Sequence, residues 1–161
     1  MHCKPSLLAV LWAVQEPRCK CCFLILPAAL GDRRHWGKSV DCNASRGTEI
    51  IPELLNDADY VIDNKKRLDC FYGTDLKSLL EILGIKNVVL MGINTNTCVL
   101  NTAFTAFNHD YRVVVASDCV ASMYGDDLHV LGLQNVARCL GWVLSNEDIK
   151  AKLKEGAVRN D

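Results

Sequence analysis

Cys98 and Lys65 are the residues of this chain whose type and placement most favour chemistry. Cys98 follows a short loop, residues 92–97, that comes after a fully apolar run, residues 87–91, and it stands at the head of a helical pattern. A cysteine at a helix start meets the positive end of the helix dipole and unpaired amides, which favour a thiolate and can also hold an oxyanion. That combination suits a covalent thiol nucleophile. The plain alternative for a lone cysteine is a small buried hydrophobe. Lys65 and Lys66 follow the strand-like residues 59–63 (Asp-Tyr-Val-Ile-Asp). A lysine at a strand's carboxyl end can point into a crevice and favour a neighbouring thiolate, whereas an ordinary lysine is a solvated surface charge. Arg67 and Asp69 read as surface or local pairing.

These positions need a scaffold, and the sequence supplies one. Leu76, Leu79, Leu80 and Leu83 recur at helical spacing after a Thr74 or Asp75 cap, and Gly84 ends the run. Residues 87–91 (Asn-Val-Val-Leu-Met) and 112–117 (Arg-Val-Val-Val-Ala-Ser) are continuous apolar strands, the kind buried on both faces of a parallel sheet. Helices are expected over residues 98–108 and 126–140, and a late strand over 141–144. Ser145 caps a final helix, with Asp148 completing a capping box. Strands alternating with helices imply a three-layer α/β/α fold with a Rossmann-like parallel sheet. Ligands in such sheets bind beyond the carboxyl ends of the strands, here the segments 64–72, 92–97 and 118–125.

Composition narrows the function classes. The 161 residues fit one domain, residues 1–161, in which residues 1–35 are atypical in texture. Half are hydrophobic and 23% are charged, which excludes a disordered chain. Eighteen Lys plus Arg against nineteen Asp plus Glu give a net charge of −1, so neither nucleic acid nor an anionic membrane is an expected partner. No apolar run approaches the roughly 20 residues of a membrane span. Lys4 before the apolar residues 7–14 faintly resembles a signal peptide but lacks a clean cleavage site. The nine cysteines are scattered, and most read as buried free thiols of a reducing, cytoplasmic compartment. Cys19, Cys21 and Cys22, with Cys3 and His2 nearby, lack the Cys-x-x-Cys spacing of a zinc site, and His35 has no second histidine close by. No metal is expected. Residues 92–96 contain one glycine, so no phosphate-bearing cofactor is expected either.

Residues 65–76 (Lys-Lys-Arg-Leu-Asp-Cys-Phe-Tyr-Gly-Thr-Asp-Leu) resemble the lysine motif of the isochorismatase-like cysteine hydrolases. Residues 92–99 (Gly-Ile-Asn-Thr-Asn-Thr-Cys-Val) resemble that family's nucleophile loop, Gly-x-x-Thr-Asn-x-Cys-Val. Residues 102–107 and 113–122 resemble the helix and strand that follow, and the likeness runs in order from Trp36 to Ser145. The resemblance implies that a Cys98 thiolate attacks an amide, ureide or carbamoyl carbonyl, that ammonia or an amine leaves, and that water releases the thioester. It implies Lys65 as the partner, six residues before Phe71, in preference to Lys66. It implies an oxyanion hole made by the backbone amides of Asn94 and Cys98, a cis peptide at Ile93–Asn94, and substrate contacts from Phe71, Tyr72 and Trp36. Leu68 and Asp69 stand where relatives often carry Tyr and Ser. Isochorismatases proper lack the cysteine, so Cys98 points to the amidohydrolase side. The nicotinamidase branch brings an Asp-x-His…His metal site, and only His35 is available for it here. The lysine motif and residues 140–143 (Leu-Gly-Trp-Val) are similar to ureidoacrylate, biuret and N-carbamoyl amidohydrolases. The resemblance further implies a small-molecule substrate and a homo-oligomer.

One part of the pattern is missing. The resemblance implies a third catalytic residue, an aspartate at the end of an opening strand. The acids before Lys65 are Glu16, Asp32, Asp41, Glu49, Glu53, Asp57, Asp59 and Asp63, and none follows a convincing first strand. Residues 22–26 read as the second strand, so the opening strand and its aspartate are expected to be absent. Acid–base help is worth about 10²–10⁴-fold in rate, and impaired activity is the expectation. Two readings follow: a cysteine amidohydrolase, whole or shortened, and a binding or oligomer-forming homologue that has lost hydrolysis.

Overall fold

Two valine-rich strands form the centre of the molecule: β4 (Asn87–Ile93) and β5 (Arg112–Ala121), paired in parallel. Their side chains alternate between two cores, as the period of two demands. Val88 and Leu90 with Val113 and Val115 face one core; Val89 and Met91 with Val114 and Ala116 face the other. The first core is closed by α1 (Leu76–Ile82), α2 (Leu100–Asn108) and residues after α3 (Asp126–Asn135). The second is closed by Ile149 and Leu153 of α4 (Asn146–Val158). The three layers expected from the sequence are therefore present, α/β/α. The computed structural model describes residues 8–14, 22–27, 59–62, 65 and 67–158.

The remaining strands are β1 (Leu8–Val14), β2 (Cys22–Pro27), β3 (Tyr60–Val61) and β6 (Gly141–Leu144). The sheet order is β3-β2-β1-β4-β5-β6. β5 pairs β6 in parallel, and β2 pairs β3 in parallel. Gly141 is dictated by this packing, since a Cβ there would lie 2.1 Å from the Val113 carbonyl oxygen.

β1 corrects one expectation. The place of the opening strand is filled by Leu8–Val14, which runs antiparallel to both β2 and β4. Ala9 lies opposite Gly92 and Val14 opposite Asn87. The sheet is thus continuous across the place where a gap was expected, with one strand reversed. Reversal has a chemical consequence: the amino end of β1, not its carboxyl end, lies beside the end of β4 from which the Cys98 loop departs. No carboxylate occurs among the first fifteen residues.

Other boundaries move modestly. β4 runs two residues further than expected, to Ile93. A π-helical turn, Thr95–Val99, precedes α2, and a second one, Val136–Leu140, follows α3. Cys98 therefore sits within the first helical turn and not at its head. β5 continues to Ala121 through a register shift against β4 between Leu90 and Gly92. Ser145 and Asp148 form the expected cap of α4: the Asp148 N–H donates to Ser145 Oγ at 3.1 Å, and Ser145 Oγ donates to Asp148 Oδ2 at 2.7 Å.

Candidate active site

The loop between β4 and α2 is fixed from three sides. The Ile93–Asn94 peptide is cis, as the resemblance implies. Asn94 is fully buried, and its carbonyl accepts the N–H groups of Thr97 and Val99, both at 3.2 Å. These two bonds straddle Cys98. Asn94 Oδ1 accepts the Met123 N–H at 2.9 Å, Asn96 Oδ1 accepts the Ser122 hydroxyl at 2.8 Å, and Thr95 Oγ1 lies 2.8 Å from His129 Nδ1. The loop after β5 and helix α3 thus clamp the loop that carries Cys98. Gly132 of α3 completes the clamp, since a Cβ there would lie 3.1 Å from Asn96 Cα. Cys98 itself is buried, and Thr97 Oγ1 lies 3.9 Å from its Sγ.

The lysine segment docks on the same helix. Lys65 is completely buried, and its Nζ donates to the Arg67 carbonyl at 2.7 Å. Among the described residues no carboxylate pairs with it. A buried ammonium with a carbonyl for its partner is costly to desolvate and is the kind of group that marks a functional site. The Cys70 N–H donates to Thr102 Oγ1 at 3.2 Å, and the Thr105 hydroxyl donates to Asp69 Oδ2 at 3.0 Å. Burial pushes the Cys70 thiol up to about 12, opposed by the Lys65 ammonium and the Thr102 hydroxyl and reinforced by Asp69 and Cys98. The segment of Lys65 is tied to the helix that follows Cys98 by the Cys70–Thr102 and Asp69–Thr105 bonds.

The other sequence candidates separate. Asn94 lies in the loop with Cys98. Phe71 is buried in the first core, stacked on Tyr111 at 6.0 Å and tilted against His109 at 5.5 Å. His109 is the residue after α2, at the end of that helix remote from Cys98. Tyr72 is 64% exposed. Trp36, Lys66, His35, Cys3, Cys19 and Cys21 lie outside the described residues. Asp69 makes one local bond, accepting the Phe71 N–H at 3.0 Å, and one long-range bond, accepting the Thr105 hydroxyl 36 residues away. Thr102, Thr105, Ser122 and His129 were not singled out from sequence. The available signal was the spacing of Thr102 and Thr105 behind Cys98, four and seven residues on, which places them on one helix face. Among the described residues no group of three metal-ligating side chains converges, and no helix is long and apolar enough to cross a membrane. A cavity of about 370 Å³ lined by Phe107, Arg112, Arg138 and Trp142 opens at the amino ends of β5 and β6, the opposite side of the sheet.

The cis peptide, the clamped loop and the docked lysine segment agree with the motif order, and comparison decides the family. The sequence matches the isochorismatase domain over residues 8–148. The chain belongs to the isochorismatase family. The match begins at the first residue of β1, well before Trp36. A ureidoacrylate amidohydrolase from Rhizobium rhizogenes is 31% identical over 108 residues, 67% of this chain and 44% of that protein. The N-carbamoylsarcosine amidase of Thermoplasma acidophilum superposes with a TM-score of 0.62 at 29% identity, over 78% of this chain and 70% of that one. A nicotinamidase from Staphylococcus aureus superposes with a TM-score of 0.53 at 35% identity, over 56% of each chain. The chain spans about half the length of the curated relatives it matches. Relatives from the nicotinamidase branch stand beside those from the carbamoyl branch, so identity alone does not rank substrates.

Proposed function

We propose that this family member hydrolyses a C–N bond of a small amide, ureido or carbamoyl compound, with Cys98 as nucleophile and Lys65 as its charged partner. The observation that carries the reading is the complete burial of Lys65 in a segment bonded through Cys70–Thr102 to the helix of Cys98. Folding would not retain a buried ammonium there for packing alone, because an apolar side chain of that length would cost less. Support also comes from relatives that cleave ureidoacrylate and N-carbamoylsarcosine, by their names.

In the proposed reaction the Cys98 thiolate attacks the carbonyl carbon. The C–S bond forms as the C=O π pair moves to oxygen, where the backbone N–H groups of Asn94 and Cys98 receive it. Collapse breaks the C–N bond, and the leaving nitrogen takes from solvent a proton that balances the one the Cys98 thiol gave up in becoming the thiolate. Water then attacks the thioester, releasing the acid and the Cys98 thiol. The Lys65 ammonium stabilises negative charge during both attacks. A proton relay is the weak element, because β1 is reversed and carries no carboxylate. Turnover by this chain is therefore slow compared with a member that has the aspartate. The reversed strand also supports the second reading, a homologue that binds the same compounds without cleaving them.

Ammonia release from a panel of ureido, carbamoyl and simple amide compounds tests the proposal. Release that disappears in Cys98→Ala is the expected result. Release that survives this substitution overturns the nucleophile assignment. Binding of a panel compound to folded protein without any release favours the second reading.

A further inference from the structure

Asn94 holds a group that neither the fold nor the proposed reaction yet uses. Its side chain is fully buried, Oδ1 accepts the Met123 N–H, and Nδ2 has no hydrogen-bond partner among the described residues. Exchanging the two atoms would not help, since the amide nitrogen would then face the Met123 donor. Because the amide is planar, the Met123 bond also fixes Nδ2. The main chain around it is held by the Thr95–His129 and Asn96–Ser122 contacts. A buried donor kept rigid and unpaired is rare in folded proteins and calls for a reason. The family's nucleophile motif, Gly-x-x-Thr-Asn-x-Cys-Val, leaves this position open, so it is a place where one member can differ from another in what it accepts.

We infer that Asn94 Nδ2 donates a hydrogen bond to an oxygen of the bound acyl substrate, which makes the Asn94 side chain a specificity-determining residue distinct from the backbone amide of the same residue. The inference rests on the reading of Cys98 as nucleophile. Its ligand class is a compound with a carbonyl or carboxylate oxygen next to the reacting carbon. A site with a committed buried donor rejects analogues that cannot accept from it.

The test does not need turnover. Iodoacetamide carries an amide oxygen on the carbon next to the one that Sγ attacks; the C–S bond forms as the C–I bond breaks, iodide leaves, and the thiol proton goes to solvent. 2-Bromoethylamine alkylates by the same displacement without a carbonyl. Rates are read by mass spectrometry on the Cys98 peptide of the full chain, with the exposed Cys139 as internal reference. Asn94→Ala removes the donor, and Asn94→Asp removes it while keeping an acceptor for Met123. The expected result is about a tenfold slower reaction of Cys98 with iodoacetamide in both variants, no comparable slowing with 2-bromoethylamine in Asn94→Ala, and no change at Cys139. Equal iodoacetamide rates in wild type and both variants, or equal slowing with both reagents in Asn94→Ala, overturn the inference and leave Cys98 untouched. A wild-type Cys98 inert to both reagents, while Cys139 reacts, overturns the nucleophile reading and this inference with it.

Discussion

The backbone N–H of Cys70 and the hydroxyl of Thr102 are joined at 3.2 Å across 32 residues of sequence. Thr102 lies four residues beyond Cys98, one turn along the helical segment. The bond therefore sets the height of the lysine segment against the helix of the proposed nucleophile. The Thr105–Asp69 bond, about one turn further on, repeats the tie. Two threonines on one helix face thus convert a loop of irregular backbone into a docked element.

Thr102→Val keeps shape and volume but leaves the buried Cys70 N–H without an acceptor. A buried donor stripped of its partner costs about 1–3 kcal/mol. Urea unfolding should report a loss of that size, with an unchanged slope. Thr105→Val should cost less, because Asp69 also accepts the Phe71 N–H at 3.0 Å and is only partly buried. Equal costs for the two variants would contradict the docking argument.

The Cys70 thiol, pushed by burial from about 9 up to about 12, predicts a stability signature. The neutral thiol is the form that the folded state accepts, and the unfolded chain ionises first as pH rises. The contribution is fully present below pH 9 and is lost as pH climbs from 9 towards 12, at up to about 1.4 kcal/mol per pH unit. Cys70→Ala should flatten the decline of unfolding free energy between pH 8.5 and 10.5 relative to wild type. Parallel curves for the two proteins would disprove it.

The strands and helices after residue 75 were legible because β4 and β5 are apolar on both faces and α1 carries leucines at helical spacing. The family was legible because the motifs around Lys65 and Cys98 are local. The core packing of Phe71 was not legible, because its stacking partner Tyr111 lies 40 residues on in the sequence. The direction of β1 was not legible at all. Leu-Ala-Val-Leu-Trp-Ala-Val is apolar read either way, and strand direction is fixed by connections and ladder partners, not by composition. The clamp from Ser122, Met123 and His129 was hidden for a related reason, since each bond spans 26 to 34 residues.

Gly132→Ala probes that clamp. The new Cβ would lie 3.1 Å from both Asn96 Cα and Asn96 N and 3.2 Å from Thr95 C. These are backbone atoms that cannot rotate away, so either α3 or the loop must shift by a few tenths of an ångström. Overpacking of this kind costs about 1–3 kcal/mol. Misplacing a reacting group by a fraction of an ångström lowers rate further. The variant should remain folded by circular dichroism, melt earlier, and lose at least tenfold in Cys98-dependent ammonia release. Wild-type melting and wild-type release would show that the helix does not bear on the loop.

Lys65→Met separates structural from chemical roles. Methionine is nearly as long and flexible as lysine, and it fills the same buried volume without the ammonium. If Lys65 served stability, its loss would destabilise. The site geometry argues the reverse: among the described residues the buried ammonium has the Arg67 carbonyl and no carboxylate for a partner, and a buried charge without a counter-charge is costly to desolvate. The melting temperature of Lys65→Met should equal or exceed that of wild type. Ammonia release, by contrast, should fall by about 10²-fold or more, because the charge that stabilises both attacking states is gone. The comparison needs both readouts on one preparation. A less stable variant with wild-type release would make Lys65 a structural residue and remove the main support for hydrolysis at Cys98.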